Sequence, residues 1–119
     1  MGFVYLGLTI LFTVYGQIVI KWQLGQAGTP PIELTDKVIF LLRQYLNPWV
    51  ISGLVAAFVA SVTWMATLTE FDLSFAYPFM SLSYVVVLAA SLLIFSEPFT
   101  PQKVIGTLVI IIGLIIISR

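Results

Sequence analysis

Neither cysteine nor histidine occurs in the 119 residues. The first absence excludes disulfides and thiolate metal sites. The second removes imidazole both as a metal ligand and as a general base. Charge is scarce too. Five basic and five acidic residues make up 8% of the chain and cancel to zero net charge, where soluble domains carry about 25% charged residues. A chain with no basic excess has no electrostatic footprint for nucleic acid. What remains is apolar: 61% of residues are hydrophobic and the mean hydropathy is +1.12. This is the composition of an all-α membrane protein, with no room for a second soluble domain.

Four apolar runs stand out: Phe3 to Ile20, Trp49 to Leu68, Leu73 to Phe95, and Val104 to Ser118. A spanning helix needs about 20 residues, within a range of about 17–25. The first three runs fit, and the fourth fits once Lys103 and Arg119 are counted as flanks that snorkel to the headgroups. Helices are therefore expected at about 3–22, 48–68, 73–95 and 102–118, forming one transmembrane domain over 1–119. The first run reads as a spanning helix rather than a cleaved signal, since it has no basic leading region and "GQAG" is a weak cleavage site.

The connections differ. "QLGQAGTPPIELTDKVIFLLRQYLN" opens with a Gly/Pro turn region. It then sets Val38, Ile39, Leu42 and Tyr45 against Asp36, Lys37, Arg43 and Gln44. That pattern predicts a short amphipathic helix over about 35–46 lying in the membrane interface. Thr35 or Asp36 is expected to cap its start, and Asn47-Pro48 to end it and launch the second span. The remaining links, "TEFD" and "SEPFTP", are short enough to make neighbouring spans antiparallel. Loops 1 and 3 then share a side holding Lys21, Lys37, Arg43 and Lys103, while Arg119 stands alone on the other. The positive-inside rule places both loops in the cytoplasm and both termini outside.

Polar residues inside the spans are few and patterned. Thr9, Thr13, Gln17 and Lys21 recur every four residues, which keeps them near one helix face. Ser74, Tyr77, Ser81, Tyr84 and Ser91 share a face of the third span, and Ser61, Trp64 and Thr67 lie near one another on the second. Ser and Thr commonly serve helix packing and bond back to their own backbone. An amide and an ammonium at membrane depth are costlier, and usually face a cavity or a partner. Lys21 has three readings: it snorkels, pairs with Glu97 on the same membrane side, or binds an anionic lipid headgroup. In the fourth span Gly106 and Gly113 lie two turns apart on one face, where another helix can approach closely.

"AYPFMSLSYVVVLAASLLIFSEPFTPQKVIGTLVIIIGLIIIS" resembles the C-terminal half of the small four-helix members of the drug/metabolite transporter superfamily. "LFTVYGQIVIKW" resembles their first helix. Within that superfamily the chain is most similar to subunits of the flippase for undecaprenyl-phosphate-linked aminoarabinose. The similarity rests on Gly16-Gln17, Lys21, Ala76-Tyr77-Pro78, Ser81-Leu82 and Glu97-Pro98. The small multidrug resistance proteins are more distant relatives. Where their first helix carries a glutamate that binds proton and cation, this chain has Thr13. Their G-V-G kink falls at Leu82-Ser83-Tyr84, so that hinge is missing, although Pro78 offers another bend. Their fourth-helix glycine pair matches Gly106 and Gly113.

The resemblance implies a dimer, with itself or with a related four-helix subunit, enclosing a polar chamber in a bacterial inner membrane. The cargo expected is a polyprenyl-phosphate-linked sugar. Thr13, Gln17, Trp64, Tyr77, Ser81 and Tyr84 would line the headgroup path, Lys21 would hold the phosphate as a point charge, and Glu97 would stand beside it. No catalytic constellation, metal site or cofactor is expected. Two alternatives stand: a small multidrug or metabolite exporter, and a membrane scaffold subunit without transport.

Overall fold

The computed structural model describes residues 1–119, and its only regular elements are helices. Four stretches are long and apolar enough to cross a membrane. The first helix, α1 (Gly2–Ala27), has 26 residues. At 1.5 Å per residue that is about 39 Å, longer than a hydrocarbon core of about 30 Å. It outruns the expected end near residue 22 because its last turns are held: Gln23 is buried, and Asn47 Nδ2 donates to Gln23 Oε1 at 2.8 Å. Gly28 then takes φ 95°, a left-handed backbone that glycine adopts without penalty.

The interfacial segment forms as α2 (Leu34–Arg43), tightening into a 3₁₀ turn over Gln44–Leu46. No residue of α2 is buried. The expected cap at Thr35 or Asp36 is absent. The helix starts at Leu34, with Glu33 at the N-cap position and no side chain closing that end. Asp36 instead lies inside the first turn, where a carboxylate favours the positive end of the helix dipole. Asn47 does cap the next helix, α3 (Pro48–Glu70): its Oδ1 accepts from Trp49 N at 2.9 Å, with Pro48 in the first helical position.

α1 and α3 form the packed centre. Gly16 and Gly53 bring the two backbones together, so that a Cβ on Gly16 would sit 3.1 Å from the Gly53 carbonyl oxygen. Side-chain bonds tie the same pair at three heights. Thr9 Oγ1 lies 2.7 Å from Thr63 Oγ1, Tyr15 Oη lies 3.0 Å from Ser52 Oγ, and the Asn47–Gln23 bond completes the set. Such bonds are each worth about 0.6 kcal/mol in membranes. Aromatic rings mark both ends. Phe3, Phe71, Phe75 and Phe79 chain together at one, with neighbouring centroids 4.9–5.1 Å apart. Trp22 and Trp49 meet edge-on at 5.3 Å at the other. Rings of this kind favour the headgroup level.

The third span, expected as one helix over 73–95, is broken. It runs as α4 (Leu73–Phe79) and α5 (Leu82–Leu93). Pro78 has no N–H to return to the preceding turn. Beyond it, Met80, Ser81, Ser83 and Tyr84 bond three residues back instead of four. The hydroxyls of Ser81 and Ser83 take the carbonyls of Pro78 and Met80. Competition of this sort loosens the regular ladder. After α5, Ser96 takes φ 52°, a strained conformation for a residue with a Cβ. This lets Glu97 N–H reach the Ser91 carbonyl at 3.1 Å.

The last helix, α6 (Pro101–Ser118), is capped by Thr100 Oγ1, which accepts from Lys103 N at 3.3 Å. It buries only Thr107 and Leu114. The radius of gyration is 16.5 Å, against roughly 13–14 Å for a compact domain of this length. The spread comes from α5 and α6 standing partly away from the central pair.

Candidate functional site

The four-residue stripe of α1 faces a groove made of three adjoining hollows. The first, about 580 Å³, is walled by Thr9 and Thr13 of α1, by Ala57, Ala60, Ser61 and Trp64 of α3, and by Tyr77, Pro78, Met80 and Ser81 around the break in the third span. Ala57 and Ala60 leave the room, and Trp64 and Tyr77 meet edge-on beside it with centroids 6.1 Å apart. The second hollow, about 150 Å³, runs from Thr13 past Gly16 to Gln17, with Tyr45 from the 3₁₀ turn over it. The third, about 280 Å³, lies between α1 and the end of α5, with Gln17, Lys21, Ser91 and Glu97 as its polar lining. Thr13 is shared by the first two and Gln17 by the last two.

Lys21 Nζ lies 3.6 Å from Glu97 Oε1, with the side chains 62% and 34% exposed. Of the three readings open for Lys21, the chain by itself adopts the pairing. The left-handed turn at Ser96 and the Glu97–Ser91 backbone bond hold the glutamate at this mouth.

The hydroxyls divide into two sets. Thr9 is buried, donates to the Tyr5 carbonyl at 2.8 Å and contacts Thr63. Ser61 donates to the Phe58 carbonyl at 2.7 Å, and Ser81 to the Pro78 carbonyl at 2.6 Å. Ser61 and Ser81 keep accepting lone pairs free while their protons are used locally, whereas Thr9 Oγ1 is taken up by Thr63. Thr67, grouped by sequence with Ser61 and Trp64, is fully buried on the Thr63 carbonyl and lines nothing. By contrast Thr13, Gln17 and Tyr77 spend no side-chain bond inside the protein, and no buried polar atom is left unsatisfied.

Of the residues singled out in the sequence, the groove gathers Thr13, Gln17, Lys21, Trp64, Tyr77, Ser81 and Glu97. Tyr84 stands apart. Its side chain is 40% exposed, one turn beyond Ser81 and one turn before Val87, lining neither hollow. Reading the sequence missed Pro78, Met80 and the small residues Ala57 and Ala60. Their signal was faint: alanines one turn apart on α3, facing the break that Pro78 sets up. Gly106 and Gly113 lie outside the groove, and a Cβ on either would meet no atom within 4 Å.

One side of the groove is unwalled. Tyr77, on the wall of the first hollow, is 66% exposed; α6, which lines none of the three hollows, exposes Leu108, Val109, Ile112 and Ile116 by more than half. The arrangement can hold a polar, neutral group by hydrogen bonding and stacking along α1, and an anion at the Lys21 end.

Comparison with known proteins agrees. Residues 1–119 match the EamA-like transporter family throughout. Among curated relatives, the chain is 30% identical to the "Probable 4-amino-4-deoxy-L-arabinose-phosphoundecaprenol flippase subunit ArnF" of Serratia proteamaculans, covering 98% of this chain and 92% of the relative. It is 31% identical to the protein of the same name from Enterobacter sp. (strain 638), covering 98% and 94%. It is 29% identical to that of Aeromonas hydrophila, covering 98% and 79%. No solved structure matches. Matched along its whole length, with four apolar spans, the chain belongs to the EamA-like transporter family and is a multi-pass membrane transporter.

Proposed function

We propose that the chain is one subunit of a flippase that moves a polyprenyl-phosphate-linked sugar across the bacterial inner membrane. The observation that carries this reading is the stripe on α1. Thr9, Thr13, Gln17 and Lys21 border three consecutive hollows and end at a cation. Sugar hydroxyls both donate and accept, which suits the free groups of Thr13, Gln17 and Tyr77 and the accepting lone pairs of Ser81. The ring face stacks on Trp64. Lys21 holds the phosphate, and the isoprenoid tail stays in lipid beside the unwalled side. That missing wall comes from a second subunit, either another copy or a related four-helix chain, joined along the Gly106–Gly113 face of α6. Loops 1 and 3 face the cytoplasm and the termini the outside.

The rival reading, export of cationic drugs driven by protons, needs a titrating acid where this chain has Thr13. Translocation of a polyprenyl-phosphoryl sugar in reconstituted vesicles tests the proposal. We expect flipping by the purified chain, alone or with its partner, and a drop of roughly tenfold with Lys21→Ala, as for loss of a charged hydrogen bond. Unchanged flipping in that variant removes the phosphate role. Proton release on binding a cationic drug favours the exporter. Loss of complex assembly on enlarging Gly106 or Gly113, with no flux affected, favours a scaffold.

A further inference from the structure

The Lys21–Glu97 pair sits at the mouth of the third hollow, and its geometry is that of an occupied but unsatisfied site. A charge-assisted N–H···O bond is about 2.7–2.9 Å long, whereas this contact is 3.6 Å. The ammonium has three donors, and one loose carboxylate contact does not exhaust them. Gln17 and Ser91 line the same hollow, and neither side chain bonds elsewhere in the protein. Amide, hydroxyl and ammonium thus converge on about 280 Å³ in which the only anion is Glu97. The glutamate is not there by side-chain drift. The strained left-handed Ser96 and the Glu97 N–H···O=C Ser91 bond fix it to the end of α5.

We infer that Glu97 is a built-in counter-anion that a phosphate ester displaces from Lys21, so that loading this mouth releases the end of α5 from α1. A tetrahedral phosphate offers more acceptor oxygens than a carboxylate, and can take donors from Lys21, Gln17 and Ser91 at once. The exposed pair it replaces is worth less than about 1 kcal/mol. The exchange therefore gives up little when a phosphate enters. This rests on the reading of Lys21 as the phosphate contact, and adds that an ion pair bridges the mouth when it is empty.

The chain has no cysteine, so spin labels at Gln26→Cys and Phe99→Cys, both outside the hollow, report the separation of the end of α1 from the loop after α5 that carries Glu97. The full chain is placed in phosphatidylcholine nanodiscs, with phosphatidic acid in one arm and inorganic phosphate in another. We expect a short distance in phosphatidylcholine and a longer one with phosphatidic acid. We also expect a longer distance without any phosphate in Glu97→Gln, whose affinity for phosphatidic acid rises about two- to fivefold, the weight of the pair removed. The charge swap Lys21→Glu with Glu97→Lys restores the short distance. Opening by phosphatidic acid alone supports a lipid-borne phosphate as the ligand, and opening by inorganic phosphate too supports any phosphate. A distance that responds to neither, or a Glu97→Gln chain as closed as the wild type, overturns the inference. Loss of sugar-lipid flipping with this response intact would count against the proposed cargo only.

Discussion

The two halves of the molecule are packed differently. In the most apolar stretch of α1 and of α3, 28% of residues are buried, while in the third span and in α6 the share is 6%. Yet all four segments have nearly the same apolar character. In lipid, hydrophobicity does not bring helices together; small residues and hydrogen bonds do. α1 and α3 have Gly16 against Gly53 and three cross-bonds. α6 has glycines too, but nothing within its own chain reaches them. The first pair is a finished interface, and under the proposed function α6 supplies the face for a second subunit.

The sharpest way to break this contrast is to enlarge glycines on each side of it. Gly16→Leu drives a side chain into the Gly53 backbone and is expected to cost about 3 kcal/mol or more, read as loss of folded protein in a denaturation series in mixed micelles. Gly113→Leu, by contrast, leaves that stability within about 0.5 kcal/mol while abolishing association, read by crosslinking in vesicles. Equal effects at both sites would erase the distinction. In the groove, Trp64→Ala is expected to weaken transport by about two- to tenfold through loss of an aromatic surface, measured as initial flipping rate. The smallest effect sharpens the account of the central pair. Thr9→Val deletes the contact with Thr63 and lowers stability by about 0.6 kcal/mol, read in the same denaturation series.

Much of this could be read from residue order, and the exceptions have physical causes. The spans follow from run length, and the Asn47 cap from a residue type with one local job. Spacing put Thr9, Thr13, Gln17 and Lys21 on one face of a helix. It did not say which neighbour that face meets, because rotation about a helix axis is set by contacts far away in sequence. For the same reason Gly16 stood out only as part of a motif, and its partner Gly53 not at all. The break in the third span needed Pro78 together with two serines competing for carbonyls, an effect that appears only when the backbone bonds are traced one by one. Tyr84 fell outside the groove because one face of α5 passes between two hollows there. Thr67, near Ser61 and Trp64 in the second span, serves packing as a threonine commonly does, its hydroxyl consumed by its own helix.

The overlap of the three hollows at Thr13 and Gln17 bears on speed. Successive stripe residues rise about 6 Å along α1, and Thr9 to Lys21 covers about 18 Å, over half of a hydrocarbon core of about 30 Å. Under the proposed function, a sugar ring advancing by one such rung keeps contact with one polar neighbour as it gains the next. It never surrenders its whole hydration shell at a single point. One forbidding barrier is thereby split into a staircase of low ones, and the transit time is governed by the tallest step rather than by the sum.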